Sequence, residues 1–237
     1  MSNTHQGKTS VGFAILLLIL LGLNLRPLLT SIGPLTQALQ AATSMPYSSF
    51  SLLTTIPIMM IGVLALFAGR MTRALGYQRG IATGLLVLIA GLVIRAWPAS
   101  AAILVVSAVI GGFGIALLHI IIPELTKQQF RHRLGAMTGL WSAALMGGAA
   151  LGAVVTPWLD AHFSSHSVAL ASWALLALIT LILWLSPANR VPKADIPPRH
   201  ELLKAFKYPR SWLLGAYFAL VNAGYAGFIA WIAPFYG

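Results

Sequence analysis

The sequence contains no cysteine and very few acidic residues. Among its 237 residues are only four Asp and Glu, against 15 Lys and Arg, and charged residues make up 8% of the chain. The absence of cysteine excludes disulfides, thiol nucleophiles and thiolate metal sites. The shortage of carboxylates leaves no paired acids for general acid–base chemistry. The chain is therefore not expected to be an enzyme, and no cofactor or metal is predicted.

Motifs for other chemistry are missing as well. The sequence has no glycine-rich loop for phosphate and no histidine cluster with metal spacing. His162 and His166 are four residues apart, which could bind a metal on a helix, but they fall in a predicted polar outer loop. The net charge of +11 could suggest nucleic acid, yet the placement of the basic residues argues against that partner.

Long apolar runs make up most of the chain instead. Hydrophobic residues account for 58% of it, and each run approaches the about 20 residues that a helix needs to cross a bilayer. Only a helix satisfies its own backbone groups in lipid, so the fold class predicted is an all-α polytopic membrane protein. The seven runs span roughly residues 11–36, 48–68, 81–97, 101–123, 135–157, 168–186 and 211–235.

The basic residues lie in alternate loops. Thirteen of the 15 Lys and Arg fall at the N-terminus or in the loops after the even-numbered runs, and the loops after the odd-numbered runs contain none. Basic loops stay in the cytoplasm. The N-terminus is therefore predicted to be cytoplasmic, and the seventh run is predicted to end outside.

The spacing of the runs predicts the domain organisation. Six helices, a basic linker and a seventh helix are how transporters built from two six-helix halves begin. The chain would then be the start of a carrier whose C-terminal half is missing. The predicted parts are a cytoplasmic N-terminus (1–10), a six-helix transmembrane bundle (11–186), a basic, proline-rich cytoplasmic linker (187–210) and a seventh transmembrane helix (211–237).

The loop after the second run carries a family pattern. Residues 69–79 read GRMTRALGYQR, which resembles the G-x-L-a-D-r-x-G-r-[RK]-[RK] loop of the major facilitator superfamily. Gly69 and Gly76 have the matching spacing, and glycine suits the tight reversal that a short loop demands. Arg73 stands where the family has Asp, so the charge relay of that loop is in doubt.

A second resemblance covers nearly the whole chain. Leu23–Ser31, Gly139–Gly148 and Ala230–Tyr236 are similar to segments of the cyanate transporter family within that superfamily. The resemblance implies a twelve-helix carrier of the inner (plasma) membrane for small anionic or polar compounds, cyanate among them. A near relative handles nitroimidazoles. Transport of a small anion by alternating access is the function that this resemblance predicts.

Arg26 is the residue predicted to bind the anion. An arginine inside an apolar run costs at least ~2.5 kcal/mol on insertion scales and keeps its charge. No Asp or Glu falls in the predicted membrane interior, so a bound anion is a natural counter-charge. Pro27 predicts a kinked helix that lines a cavity, with Asn24 and Thr30 as further binding residues. Pairing with an acid in the missing half, and snorkelling to the outer interface, are the alternatives.

Three further binding residues are predicted in the fifth and seventh runs. Trp141 is expected to line the cavity. Asn222 and Tyr225 lie three residues apart, hence on one helical face, and can donate hydrogen bonds to an anion. Contact between helices is the alternative for that pair. In the fifth run, Gly148 and Gly152 have the spacing that lets two helix backbones approach closely.

Two residues are candidates for proton coupling. His119 is the only histidine within a run, and its charge changes near physiological pH; a hydrogen bond between helices is the favoured interpretation. Glu124 lies at a helix end, where an ion pair with Lys127, Arg131 or Arg133 is favoured. Arg95, beside Trp97 at the end of the third run, is interpreted as an interfacial anchor that snorkels, with a vestibule charge as the alternative.

Other functions remain open at this stage. The chain could be a truncated, non-transporting membrane fragment, a homodimer of half-transporters, or an exporter of small aromatic compounds of the nitroimidazole kind. An exporter would be indifferent to Arg26 and sensitive to Trp141 or Tyr225. The partners expected are a small anionic substrate, the lipid bilayer and a missing C-terminal half.

Overall fold

A computed structural model describes residues 10–97, 100–189, 191, 208–217, 219–221 and 224. Every regular element in this part of the chain is a helix. The chain divides into two compact units, residues 1–194 and 195–237. In the second unit, residues 209–217 and 219–221 are helical. Asn222 and Tyr225 lie outside the described residues.

The described part of the first unit contains nine α-helices. Serine side chains begin three of them, since Ser10, Ser100 and Ser165 each accept a hydrogen bond from a backbone N–H three residues on. Two short 3-10 turns, Gly33–Leu35 and Arg131–Arg133, precede α3 and α7. The helices are α1 (Val11–Asn24), α2 (Pro27–Thr30), α3 (Thr36–Thr43), α4 (Tyr47–Ala65), α5 (Ala68–Ile94), α6 (Ala101–Gln129), α7 (Leu134–Phe163), α8 (His166–Ala171) and α9 (Trp173–Leu185).

Five segments of the described part are long and apolar enough to cross a membrane. A shorter apolar helix, Ser49–Ala65, coincides with the second predicted run. Each of the first six predicted runs falls on one or more helices, so the all-α polytopic membrane fold is confirmed. The five long segments are Val11–Thr43, Ala68–Ile94, Ala101–Gln129, Arg131–Phe163 and His166–Leu185.

The loop predicted over residues 69–79 is helical. α5 begins at Ala68, and only Gly76 departs from helical geometry, with φ +68° and ψ 175°. Side chains rarely tolerate that φ, so glycine permits the kink at which the chain enters the third apolar run. The break that glycine was predicted to permit is confirmed at Gly76, where two helical stretches join, and the residues on either side of it are helical instead of forming a loop.

The predicted outer loop over 158–167 is also largely helical. α7 continues to Phe163 and ends at Ser164, which has a left-handed φ of 49°. His162 therefore lies on α7, with its ring stacked on Trp158 at a centroid distance of 5.5 Å. His166 begins α8, and its Nδ1 lies 2.7 Å from Asp160 Oδ1. The two histidines thus have separate partners. The prediction of a loop was wrong, because the segment is mostly helical, while residues 161–164 are exposed as predicted.

Small residues bring α5 and α6 together at the centre of the first unit. A Cβ on Gly84 would lie 2.8 Å from Leu118 Cγ, and one on Gly114 would lie 2.6 Å from the backbone nitrogen of Leu88. Such contacts let two helix backbones touch where lipid offers no hydrophobic driving force between helices. Buried side chains of α1, α7 and α9 complete the same core, so the first apolar segment packs against a closely fitted pair.

Candidate functional site

The first membrane segment is broken at Arg26. α1 ends at Asn24 and α2 begins at Pro27, whose ring nitrogen carries no hydrogen to continue the helical bonding. α2 is only four residues long. The α-helical hydrogen bonding stops again before the 3-10 turn that leads into α3. The kink predicted from Pro27 is confirmed, and it places Arg26 at an interruption of the helix.

α7 approaches this break with no side chain between the two backbones. A Cβ on Gly148 would overlap the Leu23 carbonyl oxygen. One on Gly152 would overlap Thr30 Oγ1 and lie 3.1 Å from Pro27 Cα. The close approach predicted from the spacing of the two glycines is confirmed. The glycine pair sets the backbone of α7 directly against the turn that follows Arg26.

Arg26, His119 and Trp141 form a connected group at the break. Arg26 is half-buried and interacts electrostatically with His119 of α6. The His119 ring meets the Trp141 ring of α7 edge-on, with centroids 5.9 Å apart and an interplanar angle of 71°. His119 Nδ1 lies 3.3 Å from the Ile115 carbonyl oxygen; because a carbonyl only accepts, Nδ1 carries the hydrogen in that contact. Residues from three different predicted runs therefore lie in one region, with a ring contact between two of them.

The indole N–H of Trp141 is buried and has no hydrogen-bond partner among the described residues. A buried donor that finds no acceptor costs about 1–3 kcal/mol. Indole and guanidinium groups both donate and never accept. The group around the break is therefore suited to a ligand that brings acceptors and negative charge.

Asn24 and Thr30 make contacts within the protein. Asn24 is 3% exposed, and its Nδ2 donates to Thr180 Oγ1 and to the Leu20 carbonyl oxygen, both at 2.8 Å. Thr30 Oγ1 donates to the Arg26 carbonyl oxygen at 3.2 Å. Asn24 thus joins α1 to α9, and Thr30 stabilises the turn after Arg26. A role of either residue in binding substrate stays a prediction.

Arg95 lies in the interior, so the prediction that it snorkels is wrong. It is 1% exposed. Its Nε donates to Ser107 Oγ and its NH1 to the Leu28 carbonyl oxygen, each at 3.0 Å. The signal was available, because an arginine within an apolar run is the criterion that identified Arg26. The neighbouring Trp97, which is 61% exposed, made an interfacial position look more suitable.

Glu124 has a different environment from the one predicted. It is half-buried on α6, and it forms no ion pair with the described side chains of Lys127, Arg131 and Arg133. The ion pair that the described residues contain joins His166 to Asp160. The expectation of a structural ion pair at Glu124 is wrong, and its role in proton coupling stays a prediction.

Comparison with known proteins gives consistent matches along most of the chain. The model of the Major Facilitator Superfamily matches residues 10–237. The cyanate transport protein CynX of Escherichia coli K12 is 40% identical over 222 residues, which cover 94% of this chain and 58% of that protein. The 2-nitroimidazole transporter of the same organism is 27% identical over 233 residues, 98% of this chain and 59% of that protein.

A third relative has a smaller overlap. The probable nitrate/nitrite transporter NarK2 of Mycobacterium tuberculosis H37Rv is 27% identical over 206 residues, which cover 83% of this chain and 51% of that protein. The chain therefore spans a little more than half the length of these relatives. Two of the three names specify small inorganic anions, and one specifies a small aromatic ring.

Proposed function

The chain belongs to the Major Facilitator Superfamily, and from that membership we propose that it is part of a carrier that moves a small monoanion, with cyanate as the first candidate, across the inner membrane by alternating access. Membership together with the apolar helices makes it a multi-pass membrane protein of a transporter family. A cytoplasmic N-terminus and a six-helix bundle over 11–186 belong to the proposal.

The observation that carries the proposal is the group at the broken first segment. Arg26 supplies a positive charge, Trp141 a buried N–H without a partner among the described residues, and His119 an imidazole in ring contact with Trp141 and within the electrostatic reach of Arg26. Charge-assisted hydrogen bonds are about twice as strong as neutral ones. A small anion accepting from Arg26 and Trp141 would use donors that the protein already presents.

The break also suits the movement that transport requires. Carriers of this kind place substrates at interrupted helices near the middle of the membrane and rock one bundle against another. Asn222 and Tyr225 stay predicted binding residues for the anion. A proton on His119 and an anion on Arg26 would attract each other, which makes His119 the first candidate for proton coupling and Glu124 the second.

Uptake of labelled cyanate tests the proposal. Arg26→Gln should reduce saturable uptake by about tenfold or more, since a charged hydrogen bond contributes about 1.5–3 kcal/mol. Arg26→Lys should retain part of the uptake, because lysine keeps the charge and lacks the fork geometry. Arg70→Gln is the matched control, since Arg70 is exposed on α5. Full uptake by Arg26→Gln, with the variant and the wild type present in the membrane in equal amounts, would contradict the proposal.

Transport of a small aromatic compound is the second candidate. The similarity to the 2-nitroimidazole transporter favours it, as does the contact between the Trp141 and His119 rings, against which a flat solute could pack. Under this function, movement of 2-nitroimidazole would be lost in Trp141→Ala and unchanged in Arg26→Gln. The anion proposal predicts that Arg26→Gln has the larger effect.

A further inference from the structure

Arg95 contacts the broken segment close to Arg26. The two bonded residues, Arg95 and Leu28, are 67 positions apart in the chain. From this contact we propose that Arg95 is a positioning residue for the anion site: its guanidinium holds the turn Pro27–Thr30 and so sets where Arg26 lies. The inference rests on the proposed function, because it concerns the same site.

The first step concerns which group donates a hydrogen bond to the Leu28 carbonyl oxygen. Around it the regular helical bonding is interrupted: the Ser31 N–H donates to Pro27, and the Leu35 N–H donates to Ile32 within the next turn. Arg95 NH1 donates to the Leu28 oxygen at 3.0 Å. In lipid no water is present to take that place, so the side chain of α5 completes the bonding of a break in another helix.

The second step is that Arg95 is itself held in place. Ser107 of α6 is fully buried, and its Oγ accepts from Arg95 Nε and donates to the Leu104 carbonyl oxygen at 2.7 Å. Gly111, one turn further along α6, receives the Leu28 side chain: a Cβ there would lie 2.8 Å from Leu28 Cδ2. The close-packed pair α5 and α6 therefore holds Leu28 by both its backbone and its side chain.

The third step connects this contact to Arg26. α2 has four residues, too few for a helix to be stable without tertiary contacts. The Arg26 carbonyl accepts from the N–H groups of Leu29 and Thr30 at 2.9 and 3.0 Å. The position of Arg26 therefore follows that of α2, and Arg95 is the side chain that ties α2 to α5.

The charge of Arg95 also matters. Its NH2 has no hydrogen-bond partner among the described residues, and none of their carboxylates forms an ion pair with it. A neutral donor could have made the bond to Leu28. The full positive charge of Arg95, bonded to a carbonyl two residues along the chain from Arg26, adds to the attraction for an anion.

Because the chain has no cysteine, a single thiol can report on the turn. Ser31 suits this purpose: it is fully buried, adjoins α2, and its Oγ has no hydrogen-bond partner among the described residues. In the Ser31→Cys background, Arg95→Met should raise the rate of alkylation by N-ethylmaleimide about fivefold or more. The control thiol, Ala177→Cys on α9, is equally buried and should not change.

Uptake kinetics show whether Arg95 positions the anion site or only stabilises the fold. Without the reporter, Arg95→Met should raise KM for cyanate about tenfold and change the maximal rate less, because Arg26 is misplaced in the bound state. Arg95→Lys retains one donor and the charge and should lie between Arg95→Met and the wild type in both measurements. An unchanged alkylation rate in Arg95→Met, or a faster rate with an unchanged KM, would overturn the inference.

Two further outcomes are decided by the same experiment. If Arg95→Met exposes both thiols, the milder Ser107→Ala decides: faster alkylation at the Ser31→Cys thiol alone supports the inference, and no change overturns it. If wild-type protein takes up no cyanate, the proposed anion transport fails. The alkylation rates then still decide whether Arg95 holds the turn.

Discussion

Arg26 and Arg95 are both arginines within apolar runs, yet their surroundings differ. Arg95 is 1% exposed and its donors bind Ser107 and the Leu28 carbonyl. Arg26 is half-buried and lies where the helix is broken. A cation in an apolar run is therefore not by itself a sign of a ligand. The useful distinction is burial, since the protein encloses Arg95 and leaves Arg26 half-buried at an interruption of the helix.

The largest expected difference between the two arginines is in their contribution to stability. Arg95→Ala leaves the Leu28 carbonyl without its donor and opens a cavity, so we expect it to lower the free energy of unfolding by about 3 kcal/mol. Arg26→Ala should lower it by less than about 1 kcal/mol. Thermal unfolding of the purified variants in detergent measures both. Equal losses would show that the two arginines are equivalent supports.

A smaller effect is expected on the KM for cyanate when a donor of the anion site is removed. Trp141→Phe keeps the ring and removes the indole donor, so KM for cyanate should rise about fivefold with no loss of stability. Trp173→Phe is the matched control, since its indole N–H donates to Thr156 Oγ1 at 3.0 Å. That variant should lose about 1 kcal/mol of stability and keep its KM. The same rise of KM in both variants would contradict the assignment of Trp141.

The smallest effect concerns Asn24. Thr180→Val removes the hydroxyl that accepts from Asn24 Nδ2, with little change of volume. The free energy of unfolding should therefore fall by about 1 kcal/mol. KM for cyanate should stay within about twofold of wild type, because the Asn24–Thr180 bond belongs to the contact of α1 with α9. Parallel measurements of unfolding and uptake check this. A large rise in KM would mean that Asn24 acts on the substrate.

Much of the fold could be predicted from the sequence because a bilayer imposes an apolar composition on about 20 consecutive residues. The first six runs were identified on that basis. The ends of the helices could not be identified in this way, since α5 begins well before the third run and α7 continues past the fifth. Polar residues beyond the bilayer can stay helical, and a hydropathy pattern does not show where such a helix ends.

The candidate site was predictable only in part. Arg26 and Pro27 act locally, so their residue types alone indicated a charge and a kink. The burial of Arg95 depends on Leu28, and the bond of Asn24 depends on Thr180, 156 positions away. Such pairs join helices distant in the chain, and one sequence contains no sign of which helices meet. The ring contact of His119 with Trp141 escaped prediction for the same reason.

The bond between Arg95 and Leu28 has a consequence for how the protein is made. Leu28 leaves the ribosome 67 residues before Arg95, which at about 5–20 residues per second is a delay on the order of several seconds. Throughout that interval the broken first segment waits in the membrane or the insertion machinery without its donor. The bonding of the first segment is therefore completed only after the third apolar segment has been made.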